Sequence, residues 1–259
     1  MGGRGESKRI LYIEDEPEMA RMVTRMLEAE GHTVIEAERG TQGLESLYES
    51  FPHLVLLDLR MTVMSGYEFL EAMKSHSGLR EIPVVCVTGL GGLDRILEAF
   101  MRGADGYLVK PIDLDLLTAL IAFLTSRESL EAKTGLLLDL PGMREAARLV
   151  GYGVDSLEKA GVLLAVDEAG SEGCTLRQLG SRLGSLHEDL EKEVRELTAA
   201  GALRWEEAEG TLRLNLEGGW GEKHDEIRRL LKDKQLLEAF VNGLYTGVLA
   251  YALETGYYE

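Results

Sequence analysis

Cysteine is nearly absent from this chain, with two in 259 residues. Cys86 lies inside an apolar run and Cys174 far from it, so the pair offers neither a disulfide framework nor a cysteine-rich metal site. Both read as packing residues of a protein kept in a reducing cytosol. Long apolar runs are missing too: no window is long and apolar enough to span a bilayer, and the expectation is a cytoplasmic protein with no membrane partner. Met1 to Lys8 is glycine-rich and polar with nothing apolar behind it, so residues 1–7 read as a disordered tip rather than a signal peptide. Glu6 stands where a myristoylation motif has Ser or Thr. Positive charge is scarce: 28 Lys and Arg against 45 Asp and Glu give a formal net charge of −17. Residues 130–259 hold only His187 and His224, no clustered metal ligands and no phosphate loop, so an enzymatic output domain has no support.

What is present is organised around residues 54–61, LVLLDLRM. Leu54 to Leu57 form a short continuous apolar run, the pattern of a strand buried on both faces of a parallel sheet, and it ends at Asp58. In open α/β sheets that edge binds ligands. On this stretch alone Asp58 could equally be a turn-capping residue. Three other strand ends decide between the two. Ile10 to Ile13 stops at Glu14, Asp15 and Glu16; Val84 to Val87 stops at Thr88; Tyr107 to Val109 stops at Lys110 and Pro111. A helical pattern follows each run, and this alternation predicts a doubly wound parallel sheet with the ends converging.

The converging residue types have a chemical meaning. Hard oxygen ligands from Glu14, Asp15 and Asp58 suit Mg²⁺, which typically takes one or two carboxylates, waters and a phosphoryl oxygen. Thr88 and Lys110 add a hydroxyl and an ammonium for further phosphoryl oxygens. Together they describe a carboxylate nucleophile with a metal and two oxygen-stabilising groups.

On the motifs IEDE, LLDLRM, VTG and YLVKP, in that order, residues 8–126 resemble the receiver domain of two-component response regulators, a five-stranded flavodoxin-like fold. The resemblance implies Asp58 as phosphoacceptor, Glu14 and Asp15 with the backbone carbonyl of Arg60 as further Mg²⁺ ligands, and Thr88 and Lys110 on the phosphoryl group. Thr88 and Tyr107 would form the switch, remodelling the face of the fourth and fifth helices on phosphorylation. The partner implied is a sensor histidine kinase or phosphotransfer protein, and the role is signalling, with self-phosphorylation and self-dephosphorylation as the only catalysis. The family's Lys–Pro bond is cis, which would apply to Lys110–Pro111. Many relatives carry a proline in the loop before Gly66. Here it reads Thr62-Val63-Met64-Ser65-Gly66, with Val63 next to the missing proline. Arg60 and Leu90 flank the family's hydrolytic water path, and their bulk is expected to slow loss of the phosphoryl group.

The remaining receiver helices follow from periodicity. The first starts at Pro17 and stops at Gly31, with Met19, Met22, Val23, Met26 and Leu27 expected in the core. The others are expected at Thr41 to Tyr48, Tyr67 to Met73, Gly91-Gly92 to Met101 and Leu114 to Leu124. Residues 127–142 form a connector whose leucine run ends in Pro141-Gly142, so it is expected to be docked and to couple the domains rigidly.

The second half reads as mostly α, with an output domain at 143–221 and a helical tail at 222–259. A helix is expected at Val154 to Val166, and a short one at Leu176 to Leu183. A longer one follows at 185–200, then a hairpin from Ala202 to Leu216 turning at Gly210. Residues 154–217 resemble the winged helix of MarR-like regulators, which by analogy would put the helix at 185–200 in a DNA major groove. Charge opposes this: Glu188, Asp189, Glu191, Glu193 and Glu196 face only Lys192 and Arg195, and the wing adds Glu206, Glu207 and Glu209. A protein partner is therefore favoured over DNA. The tail is expected to divide at Asn242-Gly243 and, by the same analogy, to form a homodimer.

Overall fold

The computed structural model describes residues 6–89, 93–183, 190–206 and 208–257, with only the backbone of Leu93 and Asp94. The expectations for residues 1–5, Leu90, Gly91-Gly92, the start of the helix at 185–200, Glu207 and Tyr258 fall outside these. The chain divides into two compact units meeting in sequence at Leu140 and Pro141.

The first unit alternates strand and helix: β1 (Arg9–Ile13), α1 (Pro17–Ala29), β2 (Thr33–Ala37), α2 (Gly40–Ser50), β3 (Leu54–Asp58), α3 (Gly66–Ser75), β4 (Val84–Thr88), α4 (Leu93–Met101), β5 (Gly106–Val109) and α5 (Leu114–Thr125). The five strands pair in parallel in the order β2-β1-β3-β4-β5. This is the flavodoxin-like receiver fold, and β3, β4 and β5 are buried along their whole length, as unbroken apolar strands covered on both faces should be. The register sets Ile13 beside Leu57 and Asp58 beside Val87, so the carboxylates following β1 and ending β3 share one edge.

Local signals set the helix ends. Pro17 opens α1, and Gly31 at φ 96° ends its turn. A reciprocal Ser65–Glu68 capping box starts α3, and Asp113 caps α5. One expectation fails: Met22 and Met26 are exposed, because α1 buries the stripe Ala20, Val23 and Leu27 and the two methionines lie one position around the helix. The connector is helical, as α6 (Leu130–Lys133) and α7 (Gly135–Leu138), and α7 packs on α5. The Lys133 ammonium reaches the Phe123 carbonyl at 3.1 Å and lies over its ring.

The second unit holds α8 (Met143–Gly151), α9 (Leu157–Ala169), β6 (Cys174–Thr175), α10 (Leu176–Leu183), α11 (Leu190–Ala199), β7 (Leu203–Glu206), β8 (Thr211–Leu214), α12 (Trp220–Lys232), α13 (Lys234–Tyr245) and α14 (Val248–Thr255). A small antiparallel sheet runs β6-β8-β7. The two-residue β6 and the helix α8 have no counterpart in the sequence reading, and α9 begins at Leu157, not Val154, because Ser156 caps it. Leu216 lies beyond the hairpin and is exposed.

Most of α9 is buried, including Lys159, which bonds Asp155 at 2.6 Å and pairs with Glu196 on α11 at 2.8 Å. Arg228 of α12 grips Asp167 of α9 through two bonds. The tail corrects the expected break: Asn242 and Gly243 lie inside α13, and the breaks fall at Asp233 and at Thr246–Gly247. Asn242 satisfies its amide on the Glu238 carbonyl one turn back, at 2.8 Å. A Cβ on Gly243 would come within 2.6 Å of Leu249, so glycine is required where α14 packs. Among the described residues no single helix is long and apolar enough to cross a membrane.

Candidate functional site

The carboxyl-terminal edge of the parallel sheet gathers Glu14, Asp15, Asp58, Thr88 and Lys110. Each sits at a strand end or just past it, where the backbone stops pairing and the side chain faces the crevice. Glu14, Asp58 and Thr88 are buried and Asp15 is half-buried. One oxygen from each of Glu14, Asp15 and Asp58 lies within 4.8 Å of the others, and hard oxygens that close could hold a divalent cation.

Lys110 neutralises this cluster. Its ammonium donates to Glu14 Oε2 and Asp58 Oδ2, both at 2.6 Å. Its backbone N–H donates to the Thr88 carbonyl at 2.6 Å, tying the ends of β5 and β4 together, and the Lys110–Pro111 bond is cis. Burial lowers the Lys110 pKa, but its bonds to Asp58 and Glu14 outweigh that and leave it above the ordinary lysine value. Burial raises the Glu14 pKa, with Lys110 pulling against it.

Asp58 Oδ1 accepts the Arg60 backbone N–H at 2.8 Å. The Arg60 guanidinium lies over Gly89, so near that a Cβ there would meet Nη2 at 2.5 Å. Gly66 is equally constrained, since a Cβ would run into the Asp58 carbonyl and the Leu59 backbone. Tyr107 is fully buried in β5.

Two neighbours of the cluster escaped sequence reasoning. The Tyr12 hydroxyl donates to Glu14 Oε2 at 3.0 Å; the period-2 rule puts Tyr12 and Glu14 on one face, a signal that was available. Thr62 donates to Asp15 Oδ2 through its N–H at 2.9 Å and its hydroxyl at 3.2 Å, a pairing 47 residues apart that no local pattern announces.

Residues 10–122 match the family description "Response regulator receiver domain". Among curated proteins the chain is similar to the phosphate regulon transcriptional regulatory protein PhoB of Escherichia coli (strain K12). The identity is 36% over 123 residues, covering 48% of this chain and 54% of PhoB. It is 32% identical to the DNA-binding dual master transcriptional regulator RpaA of Synechocystis, over 46% of this chain and 49% of RpaA. It is 30% identical to the transcriptional regulatory protein PrrA of Mycobacterium bovis, over 62% of this chain and 70% of PrrA. The chain spans about half the length of the first two. A receiver-domain match over the residues that build the acidic edge, with a relative of this identity covered over more than two thirds of its length, makes this chain a member of the response regulators.

Proposed function

We propose that this response regulator takes up a phosphoryl group on Asp58 and relays the change to its second unit. The observation that carries the reading is Lys110 bonded at 2.6 Å to both Asp58 and Glu14, beside a third carboxylate. A carboxylate oxygen of Asp58 attacks the phosphorus of a phosphohistidine on a sensor kinase or phosphotransfer protein. A P–O bond forms as the P–N bond breaks, and the electron pair returns to the imidazole nitrogen. Glu14, Asp15 and Asp58, with the Arg60 carbonyl, would hold Mg²⁺, which supplies positive charge against the transferring phosphoryl oxygens and orients them. Lys110 moves its charge from Asp58 to a phosphoryl oxygen, and the Thr88 hydroxyl donates to another. Tyr107 then turns into the space Thr88 leaves.

The second unit is read as a winged helix that acts on DNA. Its order of helix, short strand, two helices and hairpin supports this, as do relatives whose names describe transcriptional regulators. Those names weigh against the protein partner that charge alone favours. A specific observation keeps that partner as a second reading: four arginines around the supposed interface are already paired within the chain. Arg195 pairs with Glu191, Arg204 with Glu217, Arg213 with Glu206, and Arg182 with the Ala165 carbonyl. A homodimer through α12–α14 completes the reading, supported by exposed Tyr245, Leu253 and Tyr257.

Phosphoramidate with Mg²⁺ should add one phosphoryl group to the intact mass of wild type and none to Asp58→Ala. Beryllofluoride-activated wild type should then bind duplex DNA with an affinity that falls steeply as salt rises. Labelling of Asp58→Ala would remove the phosphoacceptor. Activated protein that ignores DNA at low salt would hand the output to the protein-partner reading.

A further inference from the structure

The acidic cluster is held in two different ways. Lys110 holds Glu14 and Asp58, while Asp15 is held by Thr62, whose N–H and hydroxyl both donate to Oδ2 at 2.9 and 3.2 Å. Among the described residues Asp15 Oδ1 accepts no hydrogen bond, so one oxygen is clamped and the other is available. Thr62 stands in a loop fixed at its far end by the Ser65–Glu68 capping box. Between the two anchors lies Val63, at φ 73° and 87% exposed, a β-branched residue in the left-handed region. A loop that keeps such a residue in place is over-determined by its neighbours, and the Asp15 clamp is one of them. A proline, which many relatives carry in this loop, has no N–H and no hydroxyl and could not make either bond.

We propose that Thr62 is a positioning residue for the metal: by clamping one oxygen of Asp15 it fixes the carboxylate so that the other is presented to a divalent cation. The inference rests on the Mg²⁺ reading above. Its physical basis is that a ligand ordered before binding loses less freedom on binding, and that hydrogen bonds to a ligating carboxylate set its orientation. Metal binding should in return steady the loop bearing Val63, because one carboxylate serves both.

The test is calorimetric titration of Mg²⁺ into the full-length protein without phosphodonor, paired with the unfolding midpoint in Mg²⁺-free buffer. Thr62→Ser keeps both donors and should bind as wild type does. Thr62→Val loses the hydroxyl and should bind about threefold more weakly, and Thr62→Pro, losing both donors, about tenfold more weakly. Folded Thr62→Pro with wild-type affinity would overturn the proposal. If the proline variant does not fold, Thr62→Val decides, and unchanged affinity there overturns it. Wild type that takes up no Mg²⁺ would instead overturn the metal reading, and this inference with it.

Discussion

Lys110 faces two buried carboxylates at once, and its removal isolates both. Breaking a buried ion pair from one side leaves an uncompensated charge, so Lys110→Met should lower stability by about 3 kcal/mol in Mg²⁺-free buffer. Added Mg²⁺ should recover part of that loss, as denaturant unfolding followed by circular dichroism would register. Val63 predicts the opposite sign. It makes little contact at 87% exposure and occupies a backbone region that costs an L-residue about 1 kcal/mol. Val63→Asn, which tolerates that region, should raise the unfolding midpoint by a corresponding amount, and a lower midpoint would show that the valine side chain stabilises the loop. Legibility at this scale followed chain position. Glu14, Asp58, Thr88 and Lys110 could be picked out because each ends an apolar run; Thr62 could not, because its partner lies on a different strand end.

Elements were readable where every residue is buried and opaque where packing chooses among faces. The apolar runs of β3, β4 and β5 admit one reading, since every residue is buried. In α1 the spacing allows two adjacent stripes, and contact with the sheet chose Val23 and Leu27 over Met22 and Met26. Asn242-Gly243 looks like a break by propensity, yet Leu249 makes glycine a packing requirement within α13. Gly243→Ala should therefore destabilise the second unit by about 2 kcal/mol, although alanine is the better helix former. Both tryptophans, Trp205 and Trp220, lie in that unit, so fluorescence during urea unfolding isolates the effect. A stabilised variant would mean that Leu249 gives way.

For the molecule as a whole, acid is the revealing perturbation. His32 and His53 in the first unit and His224 in the second all have pKa values lowered by burial. His32 Nδ1 and His53 Nδ1 accept the backbone N–H groups of Lys8 and Arg9, and protonation would destroy both acceptors. Because the folded values lie below the unfolded value of about 6.5, the unfolded chain takes up protons first as pH falls. Stability is full above that value and declines through the window beneath it. Wild type should lose melting temperature as pH falls below about 6.5. His224→Gln should flatten that slope in the tryptophan signal alone, and an unchanged slope would take His224 out of the account.

The sequence by itself determined the parallel sheet, its helices and the acidic edge with Lys110, because strand ends in a doubly wound sheet converge whatever the details of packing. The hairpin and its preceding helices were also legible, from period and glycine punctuation. Tertiary structure alone decided which helix face is buried, where the tail breaks, that Thr62 holds Asp15, and that the arginines around the hairpin are already paired. Each of these depends on atoms brought together from distant parts of the chain, and local propensity carries no information about them.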